Sequence, residues 1–169
     1  MSDENNVDNK MVKLKLIIAH GKCLNCGYER TLYFTSDYTY GERIVSSQSG
    51  MFCAYVNLLG DNIMQELEKS CEELYNENGI KILSTGLKRI IPNIYGITCD
   101  EINGERIDTI PNTKCPKCLG KKLIEDAEFG EQIKEIDAYI VTHNSWESLK
   151  VIERKEKIKQ ELIRQEYLK

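Results

Sequence analysis

The chain has 169 residues, 41% hydrophobic and 30% charged, with a net charge of −4. That length supports a buried core, no apolar run approaches the length of a bilayer span, and the acidic balance gives no overall electrostatic case for nucleic acid. Met1 to Lys10, rich in Asp, Glu and Asn, is unlike a signal or transit peptide; a disordered tail over 1–10 and a cytoplasmic location are expected.

Val12, Leu14, Leu16 and Ile18 alternate with lysines at 13 and 15, which predicts a strand with one buried face. It runs through Ala19-His20-Gly21 into Cys23-Leu24-Asn25-Cys26-Gly27-Tyr28. Thr31-Leu32-Tyr33-Phe34 is β-branched and aromatic and reads as the returning strand of a hairpin. Asp37-Tyr38-Thr39-Tyr40-Gly41 reads as a loop whose tyrosines either build a binding surface or pack over the hairpin.

Phe52 to Leu59 is apolar enough for a short strand or the lead-in to a helix. After Gly60, Asp61 or Asn62 is placed to cap a helix. Ile63, Leu67, Cys71 and Leu74 recur at helical steps with Glu66, Lys69, Glu72 and Glu73 between them, so this helix is amphipathic. Its acidic face is expected in solvent, and Asn78-Gly79 ends it. Ile80 to Leu83 is predicted as a strand, Ser84-Thr85-Gly86 as a turn, and Ile90 to Cys99 as an extended piece held to an edge by Pro92. Asn103-Gly104, between Glu101-Ile102 and Glu105-Arg106-Ile107, is a hairpin signal.

Cys115-Pro116-Lys117-Cys118-Leu119-Gly120 follows, with Lys121-Lys122-Leu123-Ile124 as its outgoing strand. Lys114, Lys117, Lys121 and Lys122 make this region locally basic. They either offset a negatively charged site or form a nucleic-acid patch. Ile133 to Val141 fits strand or helix. Asn144 and Glu147 have the spacing of a capping box, predicting a helix to the C-terminus anchored at its base by Trp146. From Ser145 to Lys169 seven bases face five acids. The sparse stripe of Leu149, Ile152, Ile158, Leu162 and Tyr167 serves either a partner, a second copy or the chain's own domain.

Of seven cysteines, four lie in the two Cys-x-x-Cys turns. An odd total in this pairing fits a metal in a reducing compartment better than a disulfide framework. Cys23, Cys26, Cys115 and Cys118 offer the four thiolates that tetrahedral zinc prefers. Cys53, Cys71 and Cys99 read as small buried hydrophobes. His20, three residues before Cys23, reads as a strand-end histidine, since four thiolates leave it no coordination position.

The two knuckles resemble those of zinc-ribbon and rubredoxin-like proteins: Cys23-x-x-Cys26-Gly27-Tyr28 matches the first, Cys115-Pro116-x-Cys118 the second. The resemblance implies two hairpins clasping one metal through Cys23, Cys26, Cys115 and Cys118, with zinc expected and iron as the alternative. It spans about forty residues, Lys13 to Phe34 and Lys114 to Leu123, and departs from the family twice. Leu119 stands where glycine usually relieves a left-handed residue, and 88 residues, 27 to 114, separate the halves. The expected architecture is therefore α+β: a split ribbon (11–35 and 114–141) around an inserted strand-and-helix unit (36–113), with a C-terminal helix (142–169).

Only His20 and His143 supply imidazoles, and neither a phosphate-binding glycine loop, a nucleophile elbow nor a His-Glu-x-x-His motif occurs. Four cysteines close a metal's coordination shell. A non-enzymatic role follows as the expectation: a structural zinc in a protein-interaction or regulatory module. The alternatives are a nucleic-acid-binding ribbon and a rubredoxin-like iron electron carrier.

Overall fold

The computed structural model describes residues 10–36, 40–109, 114–120 and 132–169, and the backbone of 123–125. Residues 1–9 of the expected tail, Asp37 to Thr39 of the tyrosine loop, and Lys121 and Lys122 lie outside the described residues. The fold is α+β. Its strands are β1 (Met11–Cys23), β2 (Glu29–Thr35), β3 (Glu42–Ser47), β4 (Cys53–Asn57), β5 (Ile107–Asp108), β6 (Leu123–Glu125) and β7 (Ile133–Ile140). The helices are α1 (Asn62–Glu77), α2 (Ser84–Ile94), α3 (Asn144–Glu147) and α4 (Val151–Arg164).

The strands form one sheet in the order β2-β1-β7-β4-β3-β5, with β6 added on β1. The thirteen-residue β1 is long enough to divide its second edge between two partners. Met11 to Ile17 pair with β7, whereas Gly21 to Cys23 pair with β6. Its other edge holds β2 in register from Leu16↔Thr35 to Lys22↔Glu29. The first knuckle is thus the turn of the β1–β2 hairpin, as the alternation predicted. The segment that was open between strand and helix, Ile133 to Val141, is the strand β7.

A single parallel contact, Ala54↔Tyr139 and Tyr55↔Ile140, joins β4 to β7. Parallel neighbours require a crossover, and here α1 and α2 lie within it. Val45, Ala54, Val56 and Tyr139 meet α1, α2 and α4 on one side of the sheet. On the other side Leu16, Cys53 and Ala138 form a smaller cluster with Val12, Leu14, Tyr33, Ile44, Tyr55 and Ile136. The sheet curls so that the β3–β4 turn reaches β2. There the Tyr33 hydroxyl donates to the Gly50 carbonyl at 2.8 Å. A Cβ on Gly50 would stand 2.8 Å from the Thr31 backbone N and O, so only glycine allows this approach.

The helix predicted after Asp61 is α1. Ile63, Leu67, Cys71 and Leu74 are buried, and Asp61 caps it by accepting from the Ile63 N–H at 2.9 Å. Part of its acidic face is not simply solvated. Glu66 pairs with Arg154 at 3.1 Å, and Glu73 and Glu77 with Lys155 at 3.5 and 2.6 Å.

The prediction of a strand at 80–83, a turn at 84–86 and an extended piece from Ile90 is overturned: residues 80–83 form no strand, and Ser84 to Ile94 is α2. Leu87, Ile91 and Ile94 recur at four and three residues and are all buried. That stripe outweighs Pro92, whose missing N–H withdraws a single hydrogen bond one turn from the helix end. Asn103-Gly104 does form a tight turn, with Ile102 and Glu105 exchanging N–H···O bonds of 2.9 Å, although the pairing is an isolated bridge.

The C-terminal helix also differs from expectation. Asn144 and Glu147 do not cap one continuous helix: α3 is a single turn, and α4 begins at Val151. The carboxylate of Asp100 caps α3 from elsewhere in the chain, accepting from the Asn144 and Ser145 N–H groups, both at 2.8 Å. Half of such a box forms on α4 instead, where Glu153 accepts from the Lys150 N–H at 2.7 Å. Most of the sparse stripe is used internally: Ile158 and Leu162 are buried in the core that α1 and α2 share, Leu149 and Tyr167 pack against it, and Ile152 is exposed. Trp146 is buried at its base, as predicted, with the Arg154 guanidinium 5.8 Å from its ring centre.

Candidate metal centre

Each knuckle is built by the same two backbone bonds. In the first, the Gly27 N–H donates to the Cys23 carbonyl at 2.8 Å and the Cys23 N–H to the Tyr28 carbonyl at 2.8 Å. In the second, the Leu119 N–H donates to the Cys115 carbonyl at 2.8 Å and the Cys115 N–H to the Gly120 carbonyl at 2.9 Å. The residue after the last cysteine is left-handed in both, at φ +73° for Gly27 and +58° for Leu119. Leu119 therefore holds the strained conformation that the sequence comparison with ribbon knuckles pointed to.

The fold brings the two turns together across the 88-residue separation. Cys23 Sγ lies 3.7 Å from Cys118 Sγ, and Cys26 Sγ lies 3.6 Å from Cys115 Sγ. All four sulfurs are within 4.8 Å of one another. Sulfurs on a tetrahedral zinc at about 2.3 Å stand about 3.8 Å apart, so the donor set and its spacing fit one tetrahedral ion. Cys23 and Cys115 are buried and Cys26 is exposed.

Thiolates this close together repel one another unless a cation lies between them. The Cys118 thiol is drawn down to about 6, first by the Asn25 side-chain amide at 3.5 Å and then by the Gly120 N–H at 3.4 Å. For Cys26 the Tyr28 N–H is the largest influence and acts to lower the value. Desolvation and the neighbouring Cys115, Cys118 and Cys23 outweigh it together and push the thiol up to about 12. One thiolate is stabilised locally, while the next needs a metal's positive charge. A side chain on Gly120 would press on the site, since its Cβ would sit 3.2 Å from Cys118 Sγ.

The three remaining cysteines stay apart from this centre. Cys53 and Cys71 are buried, and burial pushes their thiols up to about 11 and about 12. Burial is also the main cause of the raised value at Cys99. His20 is exposed on β1, opposite Thr31, and is not among the clustered donors. Of the flanking lysines, Lys114 lies 5.2 Å from the ring centre of Tyr167, which ties the second knuckle to the C-terminal segment.

A second polar cluster escaped sequence reasoning. Asp61, the cap of α1, also accepts from the Tyr95 hydroxyl, and His143 Nε2 lies 3.2 Å from the same carboxylate and 2.9 Å from the Tyr95 oxygen. His143 Nδ1, 2.7 Å from the Thr98 carbonyl, must carry a proton to donate there. Asp61 was legible as a cap, but its partners lie 34 and 82 residues away, so no local pattern announces them.

Among the described residues, no helix is long and apolar enough to cross a membrane. No known protein family matches the chain, and no curated protein or solved structure is detectably similar to it.

Proposed function

We propose that Cys23, Cys26, Cys115 and Cys118 hold one structural zinc ion, and that the chain is a protein-interaction or regulatory module rather than a catalyst. The observation that carries this reading is the convergence of four sulfurs within 4.8 Å. Four thiolates complete a tetrahedral shell and leave no position for water or substrate. The bound ion would neutralise the thiolates and cross-link the β1–β2 hairpin to residues 115–118. Structural zinc in isolated fingers supplies on the order of 10 kcal/mol of folding free energy.

With most of its apolar stripe spent on α1 and α2, α4 still presents Val151 and Ile152, exposed at 80% and 75%. These are the side chains on which a protein partner or a second copy would seat.

Elemental analysis of protein purified without added metal tests the metal reading. One zinc per chain in a colourless preparation is expected, with metal and soluble yield both lost on Cys→Ser substitution at any of the four positions. A red protein with visible thiolate-to-iron bands would make it an iron site instead. Full zinc retention in both Cys115→Ser and Cys118→Ser would refute the four-sulfur centre. For the binding role, sedimentation of wild type and Val151→Lys/Ile152→Lys checks self-association through α4.

A further inference from the structure

Beyond the metal centre, we infer that the seam between β2 and β3 is a binding site for the oxyanion group, phosphate or carboxylate, of a small molecule, with Arg30 as the buried anchor and Arg43 at the rim. β5 pairs with β3 only at Ser46 and Ser47. Along the rest of β3's outer edge, the described residues place a cavity of about 270 Å³ between that edge, β2, α2 and β5. Tyr33, Val56, Pro92 and Tyr95 supply much of its apolar wall.

Arg30 lines this cavity and is only 5% exposed, yet its Nε and Nη1 have no acceptor among the described residues. A buried guanidinium with open N–H groups is costly, and native structures supply such groups with a partner. Several polar groups nearby are already committed. The Tyr33 hydroxyl donates to Gly50 and the Tyr95 hydroxyl to Asp61, while the Thr109 hydroxyl donates to the Asn93 carbonyl and accepts from the Gly96 N–H. Asp108, the acidic residue in the lining, is itself engaged. The charged donors left open in the cavity are those of Arg30, joined by the exposed Arg43.

Planar donors of this kind match carboxylate and phosphate oxygens. The volume sits just below the usual range for ligand pockets, which suits a small metabolite.

Calorimetric titration of the metal-loaded full chain with inorganic phosphate and with succinate, at fixed ionic strength against chloride, provides the test. Saturable binding of either anion is expected, at least tenfold weaker in Arg30→Met and in Arg43→Met, with a shift of the Arg30 Nε–H resonance on titration. Phosphate-only and succinate-only binding would each support the site and name its ligand class. Arg43 is exposed, so Arg43→Met keeps the test open if Arg30→Met does not fold. Absence of saturable binding by both anions, or wild-type affinity in the arginine variants, would overturn the inference.

Discussion

Leu119 and Gly27 hold the same place in two superficially identical knuckles, which makes the strain at Leu119 measurable. Its φ of +58° is a left-handed conformation, costing a residue with a Cβ roughly 1–2 kcal/mol. Leu119→Gly removes that cost but enlarges the freedom of the unfolded chain, by about 0.4–1 kcal/mol. Some packing of the half-buried side chain is lost as well. The expected net is a gain of about 0.5–1 kcal/mol, or about 1–4 °C in melting temperature for a chain of this size. Gly27→Ala is the converse. No atom lies within 4 Å of the added Cβ, so the expected loss of about 1 kcal/mol is backbone strain less the reduced freedom of the unfolded chain, with no steric clash added. Calorimetric melting of both variants, each confirmed at the wild-type metal content because bound ligand shifts the transition, measures the two effects. A loss of 1 kcal/mol or more in Leu119→Gly, or a neutral Gly27→Ala, would show that knuckle geometry is not limited by this residue.

Asp61→Ala removes the cap of α1, worth about 1 kcal/mol, and withdraws an acceptor from the buried Tyr95 hydroxyl, worth about 1–3 kcal/mol. Urea unfolding should show a combined loss of about 2–4 kcal/mol, and a loss below about 1 kcal/mol would mean that His143 alone satisfies Tyr95. Burial acts to raise the Asp100 carboxyl, but the Ser145 and Asn144 N–H groups and the Thr142 hydroxyl together hold it below its ordinary range. Its stabilising contribution is therefore present above the ordinary carboxyl value and lost as pH falls through the lowered one; Asp100→Asn should narrow its stability gap from wild type as the pH falls below the ordinary carboxyl range. Metal affinity should rise with pH because binding favours thiolates. Up to about pH 12 the Cys26 proton is among those displaced, and below about 6 the Cys118 proton adds to them, so chelator competition should show a steeper pH dependence in acid. A pH-independent affinity would exclude thiolate ligation.

What the chain announces by itself is local. The alternation from Val12 to Ile18, the helical stripe of Ile63, Leu67, Cys71 and Leu74, and the two Cys-x-x-Cys turns each lie within a few residues, where backbone period and turn chemistry decide the outcome. The α+β class and the four clustered cysteines follow from them. Leu87, Ile91 and Ile94 were equally periodic, but Pro92 argued for an extended segment at an edge; burial of that stripe in the main core settled it as α2. Tertiary structure alone determined the rest. That β1 would divide one edge between β6 and β7, that Asp100 rather than Asn144 would cap α3, and that the C-terminal stripe would be spent on α1 and α2 all depend on partners dozens of residues away. The same holds for Arg30: in sequence it is one charge on an alternating strand, and only the curl of the sheet shows it buried with donors to spare. Periodicity tells a residue which face it occupies, whereas the packing of distant elements decides what that face meets.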